Sequence, residues 1–534
     1  MNTANGVDTA MGLTGLTPLP NGAHHSPEVV VFESLGCVLV LGDDASAGDV
    51  AQRVAQHQPT VVFAPGVDTR EWGHRITAVG RKVTHLHGHM GAFQAEIHVG
   101  NEVTDIGVSS RNSSRYFDLV LDLGAQALIT DEVKPYGYFS PGRDAAKLAQ
   151  ALVALRTLVG KFAQPRYLSY LPALCAHGAS GLTGCSRCLS VCATQAIRCA
   201  GNSVKVDPFL CQGCASCAVS CPTGALSLKT SDRQALHDRI QAALASSGKG
   251  AALIVHATTL NKQTLLALSN HQVARLQVAP LPALGDELWL RALALGARVL
   301  ILLDDALPEK TRSLLLDRLG QAQTVLTALG QNPERLAFLK PEALTEYLQK
   351  HPRAIPAAAT PSAVATLKSW AKFKRIAWVD SLRLMGGDLR ANPQMLPTGA
   401  PMGSVQVDAK RCTLCFACVN VCPTRALLDR HESTLQLVFQ ESACVQCGLC
   451  VKACPEQVLS LQARIAPEVF AHMTTEVVHQ DEPISCTSCK APFISRQLLE
   501  SSLKRLQDHP VMAQGGRQTL MTCPACRQRE MLAV

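Results

Sequence analysis

Short apolar runs separated by turn residues dominate the first 165 residues. Val29–Phe32, Cys37–Leu41 and Val61–Phe63 read as strands, and Asp49–His57 between the last two reads as a helix. Phe117–Leu123 is a further strand, and Ala145–Val159 has the apolar period of a helix. The pattern returns over residues 233–350. Ala251–Val255, Ala274–Val278 and Arg298–Leu303 are strand-like, while Arg233–Ser246, Glu287–Leu295, Thr311–Leu329 and Pro341–Gln349 are helical. Strands alternating with helices predict a small parallel sheet. Residues 1–26 show no period and are rich in Gly, Thr, Asn and Pro, which predicts disorder. Pro352–Ser362 is Pro/Ala-rich and reads as a linker. Residues 363–400 are expected to hold one short helix, a strand at Ile376–Val379 and a turn at Gly386-Gly387.

Cysteine changes the picture. The chain has 534 residues, room for roughly three to five domains, and 22 of its residues are cysteines. They fall in C-x2-C groups, which in a reducing compartment read as metal sites and not as a disulfide framework. Three runs are complete: Cys211-Gln-Gly-Cys214-Ala-Ser-Cys217-Ala-Val-Ser-Cys221-Pro222, Cys412-Thr-Leu-Cys415-Phe-Ala-Cys418-Val-Asn-Val-Cys422-Pro423, and Cys444-Val-Gln-Cys447-Gly-Leu-Cys450-Val-Lys-Ala-Cys454-Pro455. This C-x2-C-x2-C-x3-C-P spacing holds [4Fe–4S] clusters. Three thiolates two residues apart surround one cube, and the fourth reaches the neighbouring cube.

A fourth run is irregular. Cys185, Cys188 and Cys192 keep the spacing, but Leu182 stands where the first cysteine belongs. Cys175 is the substitute of choice, because the glycine-rich stretch Gly178 to Gly184 lets the chain bend back. His177 or Cys199 as ligand, or a three-iron cluster, stay open. With crossover the expected sets are Cys175, Cys185, Cys188, Cys221; Cys192, Cys211, Cys214, Cys217; Cys412, Cys415, Cys418, Cys454; and Cys422, Cys444, Cys447, Cys450.

Further on, Cys486-Thr-Ser-Cys489 and Cys523-Pro-Ala-Cys526 flank an amphipathic helix, Ser495 to Gln507. They read as a four-cysteine zinc site, with a single iron or free thiols as alternatives. His85-Leu-His87-Gly-His89, with His74 and His98 nearby, could ligate a metal, but nothing in the sequence completes a set, and the plainer reading is structural. Cys37 reads as a small buried hydrophobe.

Composition narrows the function. Hydrophobic residues make up 47% and aromatics 4%, so the cores are mainly aliphatic. The formal charge is +8. Four oxidised clusters with their thiolates carry about −8 and a four-thiolate zinc about −2, which brings the loaded protein near −2. The basic surplus then compensates buried anionic sites, and no Lys/Arg run points to nucleic acid. Met1 to Pro20 lacks a leader pattern, and the longest apolar run, Ala292 to Leu303, is broken by Arg298, so a cytoplasmic protein without a transmembrane segment is expected. No G-x-G-x-x-G follows a strand.

The cysteine runs, the segment from Cys175 to Leu189 and the terminal set with Lys490-Ala-Pro-Phe493 resemble bacterial polyferredoxins of the type associated with formate dehydrogenases. Trp289-Leu-Arg-Ala-Leu-Ala-Leu-Gly-Ala297 and Leu329-Gly-Gln-Asn-Pro-Glu-Arg-Leu336 resemble the delta-subunit domain of methyl-viologen-reducing hydrogenases. That family carries a [2Fe–2S] centre on cysteines absent here, so the resemblance implies a docking domain without it. The expected architecture is multidomain α+β and α/β. An N-terminal α/β domain (27–165) and a small parallel-sheet domain (233–350) accompany two 2[4Fe–4S] ferredoxin-like modules (166–232 and 401–465), a linker (351–400) and a zinc-ribbon-like tail (466–534). The expected function is relay of single electrons between a dehydrogenase and an acceptor. A redox sensor or assembly factor, and a redox enzyme with an organic cofactor, are the alternatives.

Overall fold

The computed structural model describes residues 16–19, 28–68, 75–99, 102–105, 116–269, 271–304, 307–351, 373–386, 392–431, 434–510 and 512–532. The expectations for residues 1–15 and 20–26, His74, Pro352–Ser362 and Gly387 lie outside them.

The first unit is built on a five-stranded sheet in the order Tyr138–Phe139, Leu119–Asp122, Val38–Leu41, Thr60–Phe63, Ile76–Val79, with every neighbour parallel. Both faces are covered, which is why the central strands are continuous apolar runs without alternation. Helices Ala47–Ala55 and Ala145–Thr157 cover Val38, Val40 and Leu121. Phe93, Ala95, Ile97 and Phe117 cover Leu39, Val61 and Val120 on the other side. The second helix starts at Asp144, whose carboxylate accepts the Ala146 and Lys147 N–H groups at 2.9 and 3.1 Å. Thr17–Pro18 is not disordered as expected: it pairs with Phe162 and Ala163 at the edge of the Val29–Ser34 and Gly160–Pro165 ribbon, where Leu16 joins the core.

The middle unit is the parallel sheet expected, with a fourth strand, Leu336–Leu339, beyond Leu300–Leu303. The strand expected at Ile376–Val379 is instead part of an α-helix, Lys374–Met385. The reason is visible in its burial: Lys374, Ala377, Trp378, Val379, Asp380, Ser381, Leu382 and Met385 are all covered, so the helix is enclosed on most sides and its apolar run Ile376–Val379 shows no helical period of its own. This helix packs on Asp286–Ala294 and on Pro467–His472, with the Trp378 and Phe470 rings edge to face at 5.4 Å. It therefore belongs to a core with Trp289, Met402 and Ile465 and joins the middle unit to the second cysteine-rich unit.

The two cysteine-rich units share one plan. In the first, Leu168–Tyr170 pairs with Leu226–Leu228 and Ile197–Ala200 with Ser203–Val206. In the second, Gly403–Val407 pairs with Leu459–Ile465 and Leu427–His431 with Leu435–Phe439. Each carries two helices of a single turn or little more: Arg187–Ser190 and Ser216–Ser220, then Ala417–Asn420 and Leu449–Ala453. The tail strand Glu476–Asp481 extends the second hairpin, and the helix Arg496–Leu506 follows it. No helix among the described residues is long and apolar enough to cross a membrane.

Candidate iron–sulfur and metal centres

In the three regular runs the residues on either side of the middle cysteine are left-handed: Gly213 and Ala215, Leu414 and Phe416, Gln446 and Gly448. The third residue after each closing cysteine is left-handed as well: Gln195, Gly224, Arg425 and Gln457. Seven of the ten left-handed non-glycine residues among the described residues lie in these loops. Each costs on the order of 1–3 kcal/mol, so the strain is concentrated where the thiols converge. These turns aim the three near cysteines at one volume. The N–H groups of Ala196 and Ala426 donate to the sulfurs of Cys192 and Cys422, both at 3.2 Å.

The irregular run reaches the same end by another route. Gly178–Ala179 and Leu182–Thr183 form a small hairpin. Cys185 N–H donates to Ala176 O at 2.9 Å, which returns Cys185 to the neighbourhood of Cys175. Burial pushes the Cys188 thiol up to about 12, and Cys185, Cys221 and Cys175 are the thiols close enough to raise it further. His177 is buried and occupied, with Nδ1 2.8 Å from Cys185 O and Nε2 3.1 Å from the sulfur of the exposed Cys199.

The thiols of the other runs also neighbour one another, within and across the expected sets. Cys217 is raised well above the usual thiol value by burial, then by Cys214, Cys211 and Cys192. Cys418 is pushed up to about 12 by burial, then by Cys415, Cys412 and Cys454. Cys450 is raised by burial, then by Cys444, Cys447, Cys418 and Cys422. We label the quartets A (Cys175, Cys185, Cys188, Cys221), B (Cys192, Cys211, Cys214, Cys217), C (Cys422, Cys444, Cys447, Cys450) and D (Cys412, Cys415, Cys418, Cys454).

These donors fit iron–sulfur clusters. The raised thiols Cys188, Cys217, Cys418 and Cys450 stay protonated until a cation takes the proton's place. Among the described residues, the tail cysteines are the set whose ligand atoms all lie within 4.8 Å of one another. A cube with a thiolate on each corner needs a wider spacing.

The tail set has the tighter geometry of a single ion. Cys486, Cys489, Cys523 and Cys526 lie within 4.8 Å of one another, and the Cys489 and Cys523 sulfurs are 3.7 Å apart. Metal–sulfur bonds of about 2.3 Å in a tetrahedron give an edge of about 3.8 Å. Burial raises Cys486, but N–H groups of Cys523, Cys489 and Ser488 donate to it and bring it down to about 6. Arg529 Nη2 lies 3.0 Å from the Cys526 sulfur. These four sulfurs can hold a metal such as zinc.

Among the described histidines of the first unit, the His85 and His98 rings lie 6.2 Å apart, but no three come together as a ligand set. His87 Nε2 is 2.7 Å from Gln94 Oε1, and His89 stacks on Phe209 at 4.2 Å. Cys37 is buried, with its N–H donating to Asp118 at 2.8 Å.

Four cations near the quartets escaped the sequence reading. Arg187 Nη1 lies 3.6 Å from the Cys185 sulfur. Arg375 Nη2 donates to Cys444 O at 2.8 Å; burial raises the Cys444 thiol, and the Gln446 N–H and then the Arg375 charge hold it to about 11. Lys374 Nζ and Arg318 Nη2 donate to Val219 O and Ser220 O, at 2.5 and 2.8 Å, just before Cys221. Only Arg187, inside C-S-R-C, had a signal, its place between two ligands.

Residues 411–459 match the family model described as a 4Fe-4S dicluster domain, and residues 204–227 match that of a 4Fe-4S binding domain. No curated protein matches the chain. Together with the buried cysteine loops, the two matches make this chain an iron–sulfur binding protein with ferredoxin-type 4Fe-4S domains.

Proposed function

We propose that the chain is an electron-transfer protein holding four [4Fe–4S] clusters, one in each quartet, and one zinc ion on the tail. It would serve as a subunit or docking partner between a dehydrogenase and an acceptor. The polyferredoxin resemblance favours a formate dehydrogenase, and no feature of the sequence favours nucleic acid. When bound, the clusters supply one-electron redox couples over a wide range of potential. The protein keeps the thiols buried or half-buried, places positive charge beside some of them and donates N–H groups to sulfurs, which are the levers a fold has on potential.

What supports this reading most is that closing cysteines neighbour the other run of their module: Cys221 is near Cys188 of the preceding run, and Cys422 is near Cys444, Cys447 and Cys450 of the following one, as crossover ligation requires. Such sharing leaves each module with two sites side by side, a plan suited to passing electrons and needless for a lone structural site. Chain purified without oxygen is expected to hold about sixteen irons and, on reduction, to show spin-coupled signals. Iron near zero would end the proposal. Cys175→Ala is expected to remove one iron and leave a three-iron signal in the oxidised protein. An unchanged iron count in that variant would transfer the ligand role to another residue.

A further inference from the structure

Resting on that reading, we infer that the two ferredoxin modules dock site to site. Quartets A and C face each other, Arg187 bridges the join, and the four sites form one line in the order B, A, C, D. Three contacts carry it. Arg187 lies between Cys185 and Cys188 of quartet A, yet its guanidinium donates to Gly399 O at 2.9 Å, just before the second module, and to Val445 O at 3.3 Å within it. Val445 lies between Cys444 and Cys447 of quartet C. Lys452 Nζ donates in the opposite direction, to Thr183 O at 2.6 Å. Gly184, next to Cys185, sits so close to Leu449 that a Cβ there would come within 2.7 Å of Leu449 Cγ and 2.8 Å of Ala176 O. No larger residue allows this approach.

The thiols follow the same order. Cys188 of A is a neighbour of Cys217 of B, Cys185 of A is a neighbour of Cys447 of C, and Cys418 of D is a neighbour of Cys450 of C. The line therefore runs through the join with no gap for a mobile carrier. Its outer ends point to different surroundings. Quartet B lies against the first unit, where Gln212 Nε2 donates to Lys134 O at 2.7 Å. Quartet D lies against the tail, where Ser495 Oγ donates to Thr413 O at 2.6 Å.

Arg187 also sets energy at the join. A cation beside two anionic sites stabilises their reduced, more negative state, so it raises both potentials. Arg187 acts as a positioning residue, through charge and through its fork of donors.

The test is a potentiometric titration of the full chain, followed by electron paramagnetic resonance. In Arg187→Gln two of the four midpoints are expected to fall by about 59 mV, a tenfold change in the ratio of reduced to oxidised sites for a one-electron couple. The other two should stay. Arg187→Lys should recover most of the shift. Lys452→Gln removes an exposed cation at the same join and should lower the same two midpoints, so the test survives if Arg187→Gln does not accumulate. Four unchanged midpoints, or four equal shifts, with iron still near sixteen would overturn the docking order. Loss of iron from the unaltered chain would instead overturn the electron-transfer reading itself.

Discussion

Asp380→Ala is expected to destabilise the chain by about 3–5 kcal/mol. Asp380 Oδ2 lies 2.8 Å from Arg291 Nη1, and the two side chains are 0% and 5% exposed. A buried pair gains little net stability over apolar residues, because both charges lost their water. Removing one partner is another matter, since the other charge stays buried with its carboxylate counter-charge gone. The gain in helix propensity on going to alanine, a few tenths of a kcal/mol, cannot offset that. The loss should spread beyond the pair. Asp380 sits on the Lys374–Met385 helix, which places Lys374 against Val219 O and Arg375 against Cys444 O. Loosening this one helix therefore disturbs quartets A and C together. Denaturant midpoints followed by circular dichroism under anaerobic conditions would check it. The double variant Arg291→Met with Asp380→Leu should recover most of the loss. A single-variant cost below about 1 kcal/mol would mean that the pair is wet in solution.

The same helix shows where the sequence runs out. Ile376–Val379 is four apolar residues in a row, and four residues cannot distinguish a buried strand from one side of a helix that is covered almost all round. The faces were decided by Trp289, Phe470 and Arg291, which are distant in sequence. By contrast, Val38–Leu41 and Leu300–Leu303 were legible because a strand buried on both faces must be apolar throughout. The quartets were legible for a local reason: the thiols that share one cube come mostly from seven consecutive residues. Quartet A was half legible. The glycines announced a bend, but the hairpin bonds from Cys185 to Ala176, and the engagement of His177 with Cys199, depend on folding. The cations around the quartets were not legible at all, apart from Arg187, because helices and loops from other units deliver them. Leu336–Leu339 was missed because its strand follows a turn already absorbed into a different motif.

Metal removal from the tail is expected to have the largest effect. Among the described residues, Phe493 is the one apolar side chain packed on the local core of Cys486, Cys523 and Cys526. So small a core cannot hold the Pro483–Ser485 and Pro492–Ser495 hairpin and the Pro524–Leu532 helix together unaided. Structural zinc contributes roughly 10–16 kcal/mol of apparent binding free energy in small four-ligand sites at neutral pH, and there binding and folding are one event. Cys523→Ala should therefore abolish the one tightly held non-cluster metal and open the tail to protease. Iron should stay near sixteen, because none of these four cysteines belongs to a quartet. The consequence reaches quartet D. Ser495 Oγ donates to Thr413 O between Cys412 and Cys415, and Arg505 pairs at 2.5 Å with Glu456 just after Cys454. With the tail unfolded, that face of quartet D meets solvent, and oxygen should bleach one cluster several-fold faster than the other three. A metal-free tail that resists protease would show that packing alone holds it. An even rate of bleaching would show that the tail does not shield quartet D.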